Sequence, residues 1–215
     1  MMNTEMLPMS WLFAPFYDLL MKNTEAAGLG QWRQTLLREA YGRVLEIGGG
    51  TGANLSYYTG SVEQVVITEP DPGMKRQLDQ KFRELNKSNF QTANAKAEDL
   101  PFEEASFDTV VSTLVLCTVD DPDKSLEEIF RVLRPGGKLL FLEHVHAHDN
   151  PGRAKWQGRI EPVWKHFAGG CHLTRDTLKT IERTGFTIEA VTRASLRKAP
   201  SFIRPCIRGY AIKQS

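Results

Sequence analysis

The sequence predicts an α/β fold, a mainly parallel sheet with helices on both faces. Short β-branched runs alternate with stretches of helical periodicity, the rhythm of βαβ units. The first such run ends in a glycine cluster, Gly48-Gly49-Gly50-Thr51-Gly52, a turn that brings backbone close to a ligand. The 215 residues, 41% hydrophobic and 25% charged, suffice for one ordinary core and are too apolar for a disordered chain.

Two amphipathic stretches come first, about residues 9–22 and 25–40, with Ala26-Ala27-Gly28 near their junction. We read residues 1–40 as an N-terminal helical lid and residues 41–215 as one folding unit. Val44-Leu45-Glu46-Ile47 is the first strand, and its glycines lead toward a helix start. Val65-Val66-Ile67-Thr68 is the second, stopped by Glu69-Pro70-Asp71-Pro72. Lys75 to Lys87 has helical spacing. Phe107 to Val119 carries the β-branched run TVVSTLVLCTV, and Asp123 to Leu133 reads as a helix. Arg134-Pro135-Gly136-Gly137 should break that helix before the strand Lys138 to Leu142. Two late strands, near Gly185–Arg193 and Phe202–Ile212, would extend one edge. No repeat, low-complexity tract or composition break divides the chain.

With 27 basic and 26 acidic side chains, the net charge is +1, so bulk charge does not call for a nucleic-acid partner. After Glu189 only basic groups follow (Arg193, Arg197, Lys198, Arg204, Arg208 and Lys213), either a solvated edge or an attraction for anionic surfaces. Cys117, Cys171 and Cys206 are odd in number and far apart, without CxxC spacing, so spacing suggests neither a disulfide framework nor a zinc site. A reducing cytoplasm is the expected compartment. The apolar run Trp11 to Met21 is short and interrupted by Pro15 and Asp18, so we expect no transmembrane span. It leaves open a peripheral membrane contact.

Glycines at 48, 50 and 52 permit a tight turn with a ligand lying against the main chain, and N–H groups at a following helix start can receive its polar end. The same turn serves dinucleotides, so the glycines alone do not choose. Glu69 ends the next strand about twenty residues on, where an acid can accept hydrogen bonds from ribose hydroxyls. The loop lacks the lysine of a phosphate-binding loop. Ala97-Glu98-Asp99-Leu100-Pro101-Phe102 and Arg131-Val132-Leu133-Arg134-Pro135-Gly136-Gly137 follow in order.

On these motifs, from about Val44 to Leu142, the chain resembles the class I S-adenosylmethionine (AdoMet)-dependent methyltransferases of the group that includes the quinone-ring methyltransferases. The resemblance implies a Rossmann-like, seven-stranded, mostly parallel sheet with AdoMet as cofactor. It implies that Glu46, Gly48, Gly49, Gly50, Gly52 and Asn54 cradle the methionine and ribose, and that Glu69, with Pro70, meets the ribose diol. Ala97 and Glu98 would line the adenine pocket, Thr113 would start the substrate-side loop, and Tyr17 would meet the AdoMet carboxylate. Many relatives have an acid before the Ala97 position. Lys96 stands here, which leaves adenine to Glu98 or to backbone groups.

A closer similarity runs through Ser112 to Val119, Glu143-His144-Val145, Trp156-Gln157, Gly170 to Arg175, and Ile203-Arg204-Pro205. It is to the methyltransferase-like proteins that act as alkyl thiol S-methyltransferases in animals. This implies a small-molecule acceptor, a thiol first, with a lipid, quinol or phenol acceptor or AdoMet binding without turnover as alternatives. The expected acceptor pocket comprises Trp11, Phe16, Leu114, Cys117, Trp156, Cys171 and His172. His144 and Glu143, just past the fifth strand, are the candidates for a base, against plain loop or packing roles. Cys171 beside His172 suggests a nucleophile pair, though direct methyl transfer needs no covalent cysteine. His146, His148 and His166 read as surface groups, and no metal is expected.

Overall fold

In a computed structural model, residues 18–19, 21–85 and 88–214 are described. Seven strands, β1 (Gly42–Ile47), β2 (Val62–Thr68), β3 (Phe90–Ala93), β4 (Phe107–Thr113), β5 (Leu133–His144), β6 (Phe186–Ser195) and β7 (Pro205–Lys213), form one sheet in the order β3-β2-β1-β4-β5-β7-β6. Strands β1 to β5 pair in parallel, and β7 runs antiparallel between β5 and β6. The two late strands do extend one edge. Among the described residues, the helices that flank the sheet include α1 (Gly30–Leu37), α2 (Pro72–Leu85), α3 (Pro122–Val132), α4 (Pro151–Phe167) and α5 (Thr177–Arg183).

Along β4 and β5 the pleat sends alternate residues to opposite faces. Val110, Leu139 and Phe141 pack with Leu126, Ile129 and Val132 of α3 and Ile181 of α5. Val111, Leu140 and Leu142 pack on the other face with Leu36 and Leu37 of α1 and Leu78 of α2. Both faces are covered, which is why these strands read as unbroken apolar runs. Helix α1 therefore belongs to the core. A wide helical turn, Glu25–Leu29, leads into it, with Gly28 at φ +136°, a conformation that a side chain would oppose. Asp121 caps α3, its carboxylate accepting from the N–H groups of Asp123 and Lys124, and Pro122 follows at the first helical position.

The structure departs from the sequence reading in three places. The segment after the glycines is a series of reverse turns, not a helix: N–H groups of Gly52, Leu55 and Tyr57 bond to carbonyls three residues back. Gly48, Gly50 and Gly52 all have positive φ (55°, 55° and 82°), so no right-handed helical run can form through them. Strand β5 starts at Leu133, so Arg134 to Gly137 lies inside an irregular strand rather than ahead of it, with a register shift opposite Phe107/Thr109. Finally, β3, α4 and α5 had no counterpart in the sequence reading.

Candidate cofactor and substrate site

A cavity of about 980 Å³ opens beyond the carboxyl ends of β1, β2 and β4. Strand order reverses between β1 and β4, the switch point where open α/β sheets bind ligands. Its walls are Gly48–Thr51 with Ala53 and Asn54, Glu69–Asp71, Ala95–Glu98, Thr113–Val115 with Thr118–Asp120, and His166–Gly169.

The glycine loop forms one wall for steric reasons. A Cβ on Gly48 would sit 2.7 Å from Val115 Cγ1, and one on Gly49 would sit 2.2 Å from Ile67 Cγ2. Gly50 has open space where its side chain would be, so its bare backbone borders the cavity. Its N–H donates to Glu69 Oε2 at 2.8 Å, and the Asp71 N–H donates to Glu69 Oε1 at 2.8 Å. Each carboxylate oxygen keeps acceptor capacity for a ligand hydroxyl. Burial raises the pKa of Glu69, and these two N–H bonds oppose the rise.

Behind the loop lies a buried polar network. Glu46 accepts from Asn54 Nδ2 at 3.0 Å and from Tyr58 Oη at 2.5 Å. Arg33 of α1 is 3% exposed. Its Nη1 donates to Asn54 Oδ1 at 3.0 Å and to Thr113 Oγ1 at 2.8 Å, while Nε pairs with Glu25 Oε1 at 3.0 Å. Burial raises the Glu46 pKa to about 7, against the hydrogen bonds from Tyr58 and Asn54 and the nearby Arg33 charge.

Arg33 lines the cavity and was missed in the sequence reading. Its signal was a charge placed in the stripe of Leu29, Leu36 and Leu37, positions that share one helical face. His166, read as a surface group, is exposed as expected and also borders the cavity, with Nδ1 2.8 Å from the Pro162 carbonyl.

Of the expected cofactor residues, Glu46, Gly48, Gly49, Gly50, Asn54, Glu69, Pro70, Ala97, Glu98 and Thr113 line this one cavity. Gly52 does not: a Cβ there would meet Leu55 and Leu78, so it serves packing behind the loop. Glu98 Oε1 also accepts from the N–H groups of Asp120 and Asp121, and Lys96 pairs with Asp120 in solvent. Tyr17, Trp11 and Phe16 lie outside the described residues. Asp18 accepts from Thr51 Oγ1 at 2.5 Å, which ties that residue to the glycine loop.

The expected acceptor residues divide. Leu114 lines the cavity. Trp156 is 60% exposed and borders a separate recess with Ile160 and Phe202, because α4 turns it away from the sheet. His172 does not pair with Cys171; its Nδ1 lies 3.2 Å from Glu161 Oε1. Glu143 and His144 are buried but absent from the cavity lining. Glu143 Oε1 accepts from Ser112 Oγ at 2.7 Å and the Val115 N–H at 3.2 Å, fastening the loop after β4. His144 Nε2 lies 2.6 Å from Cys171 Sγ, which lies 3.8 Å from Cys117 Sγ.

In this trio the contact with Cys117 does most to hold the Cys171 thiol below its ordinary pKa; burial opposes the shift and His144 adds to it. Burial, the largest single influence, opposes protonation of His144, but the contact with Cys171 and the nearby Glu143 charge together raise its pKa. The Cys117 thiol is pushed up by its contact with Cys171 and by burial.

The strand order, the glycine loop and the acid facing it define a nucleoside-binding α/β protein of the doubly wound class. A methyltransferase-domain family model matches residues 45–141. The chain is 39% identical to human thiol S-methyltransferase TMT1B over 82% of its length and 74% of that protein. With the rat TMT1B enzyme the identity is 40%, over 67% of this chain and 59% of that one. A solved geranyl diphosphate methyltransferase, in complex with GPP and sinefungin, has the same fold: TM-score 0.69, 15% identity, covering 87% of this chain and 78% of that one. The chain belongs to the AdoMet-dependent methyltransferase family.

Proposed function

We propose that the protein transfers the methyl group of AdoMet to a small thiol. The observation that carries the cofactor half is Glu69, clasped by the Gly50 and Asp71 N–H groups at the rim of a cavity floored by bare backbone. The thiol half rests on the thiol S-methyltransferase relatives.

The residues present fit the cofactor. Glu69 would accept from both ribose hydroxyls, Gly48 to Gly50 would run along the methionine part, and Ala97 and Glu98 would flank the base. Arg33 places a guanidinium against the cavity where the amino-acid carboxylate would lie. When bound, AdoMet supplies a methyl group on an electron-poor sulfonium. The chain then has to align the acceptor and exclude water, and Leu114, Val115 and the Phe167–Gly169 segment line the cavity in which that acceptor would sit. A thiol, with a pKa of about 8.5 for a cysteine-like group, ionises with little help. His166 is the imidazole that borders the cavity and can receive that proton.

Among the described residues no helix is long and apolar enough to cross a membrane. We assign the protein to a reducing cytoplasm, where its three free cysteines persist as thiols.

The test is transfer of labelled methyl from AdoMet to thiol, phenol and amine acceptors in parallel. Label on sulfur is the expected result. Label only on oxygen or nitrogen overturns the thiol assignment, and no transfer to any acceptor overturns the activity.

A further inference from the structure

We propose that Cys117, His144 and Cys171 form a binding site for a thiophilic divalent cation of the zinc class, which clasps two walls of the cofactor cavity together. The three ligand atoms lie within 4.8 Å of one another, and all three residues are buried. They come from separate places: the loop after β4, the end of β5, and the turn after α4. Both sulfurs are free thiols. Nδ1 of His144 is buried with no hydrogen-bond partner, so the ring's polar contact is to sulfur.

The chemistry of the set agrees. Two thiolates and one imidazole are a borderline-soft donor set, matched to Zn²⁺. Zinc–sulfur bonds of about 2.3 Å in a tetrahedron set two thiolate sulfurs about 3.8 Å apart. Cys117 and Cys171 have that separation, 3.8 Å. The 2.6 Å from His144 Nε2 to Cys171 Sγ is closer than an ordinary N···O bond. With a zinc–nitrogen bond of about 2.0 Å, the imidazole must withdraw by about 1 Å to take its tetrahedral corner. Three protein ligands leave a fourth position for water. Binding needs both cysteines as thiolates and His144 neutral, and the protons displaced from the trio go to solvent.

The backbone around the ligands is already pinned. The His172 N–H donates to the Cys117 carbonyl at 2.7 Å, Arg175 Nη1 to the Leu116 carbonyl at 2.7 Å, and the His146 N–H to the Arg175 carbonyl at 3.0 Å. Gly170, at φ +83°, lets the turn fold back until an added Cβ would lie 3.0 Å from the Thr118 carbonyl oxygen. Val115 and Thr118 flank Cys117 on one cavity wall, and Ala168 and Gly169 precede Cys171 on the other. An ion bridging the two cysteines therefore fixes the gap between those walls.

The experiment is elemental analysis of the full chain purified under reducing conditions from zinc-supplemented growth, followed by exchange with Co²⁺. One zinc per chain is expected. The cobalt form should show thiolate-to-metal charge-transfer bands in the near ultraviolet and the visible bands of a tetrahedral site. Cys171→Ser and Cys117→Ser should each lose stoichiometric zinc and those bands, while Cys206→Ser, which alters the remaining buried cysteine, should keep both. Circular dichroism checks that each variant is folded, and the wild-type spectra decide the matter if one is not. Wild-type protein that takes up neither zinc nor cobalt overturns the proposal. So does a Cys117–Cys171 disulfide in the reduced preparation, or metal loss in Cys206→Ser equal to that in Cys171→Ser.

Discussion

Glu69 holds the glycine loop and, on our reading, the sugar with the same two oxygens. Replacing it with alanine removes a charged acceptor from two hydroxyls, so AdoMet affinity should fall by about 1.5–3 kcal/mol, the range for a hydrogen bond to a charged group. Titration calorimetry reads this directly. Glu69→Gln, which keeps one acceptor, should lose less, and unchanged affinity in both variants would place the ribose elsewhere. Glu69 was legible because its position at a strand end and its distance from the glycines are sequence properties. Arg33 was less so, since its partners Asn54 and Thr113 are 21 and 80 residues away. His144 and Cys171 are 27 residues apart, and Cys117 and Cys171 are 54 apart. No spacing rule spans such gaps. Only the order of β4 and β5 and the turn after α4 bring those groups together.

At the scale of elements, start signals and periodicity were readable wherever an apolar stripe was regular. Helix α3 is the clearest case: Asp121-Pro122 opens it, and Leu126, Ile129 and Val132 share its buried side. Asp121→Ala should remove a cap that satisfies two N–H groups, costing about 1 kcal/mol and lowering the denaturant midpoint with the slope unchanged. A variant as stable as wild type would mean that water replaces the carboxylate at no cost. Helix α4 escaped the reading for the opposite reason. Of its side chains only Gln157 is fully buried, and Trp156, Val163 and Phe167 are exposed, so no apolar stripe marks it, and Pro162 lies inside it. Its start signal, Asn150-Pro151, was present all the same: the Asn150 carboxamide accepts from the Arg153 N–H. The turn chain after β1 was misread because the glycines that suit a ligand are also those that forbid a regular helix.

For the molecule as a whole, the buried carboxyl groups beneath the cavity make stability depend on pH. Glu46 ordinarily titrates near 4.5, and in the folded protein near 7, chiefly because burial penalises its charge. Between these values the native state holds a proton that the unfolded chain has released, so stability must fall as pH rises through that interval. The stabilisation is complete below 4.5 and gone above 7. A shift of about 2.5 units corresponds to about 3 kcal/mol at most. Glu69 is shifted in the same direction and adds to the slope. In Glu46→Gln the side chain cannot ionise, so denaturant unfolding at pH 5 and pH 7.5 should give values closer together than in wild type, chiefly through a gain at the higher pH. An equal pH slope in the two proteins would show that Glu46 ionises freely in its network, with Arg33 offsetting the cost of its burial.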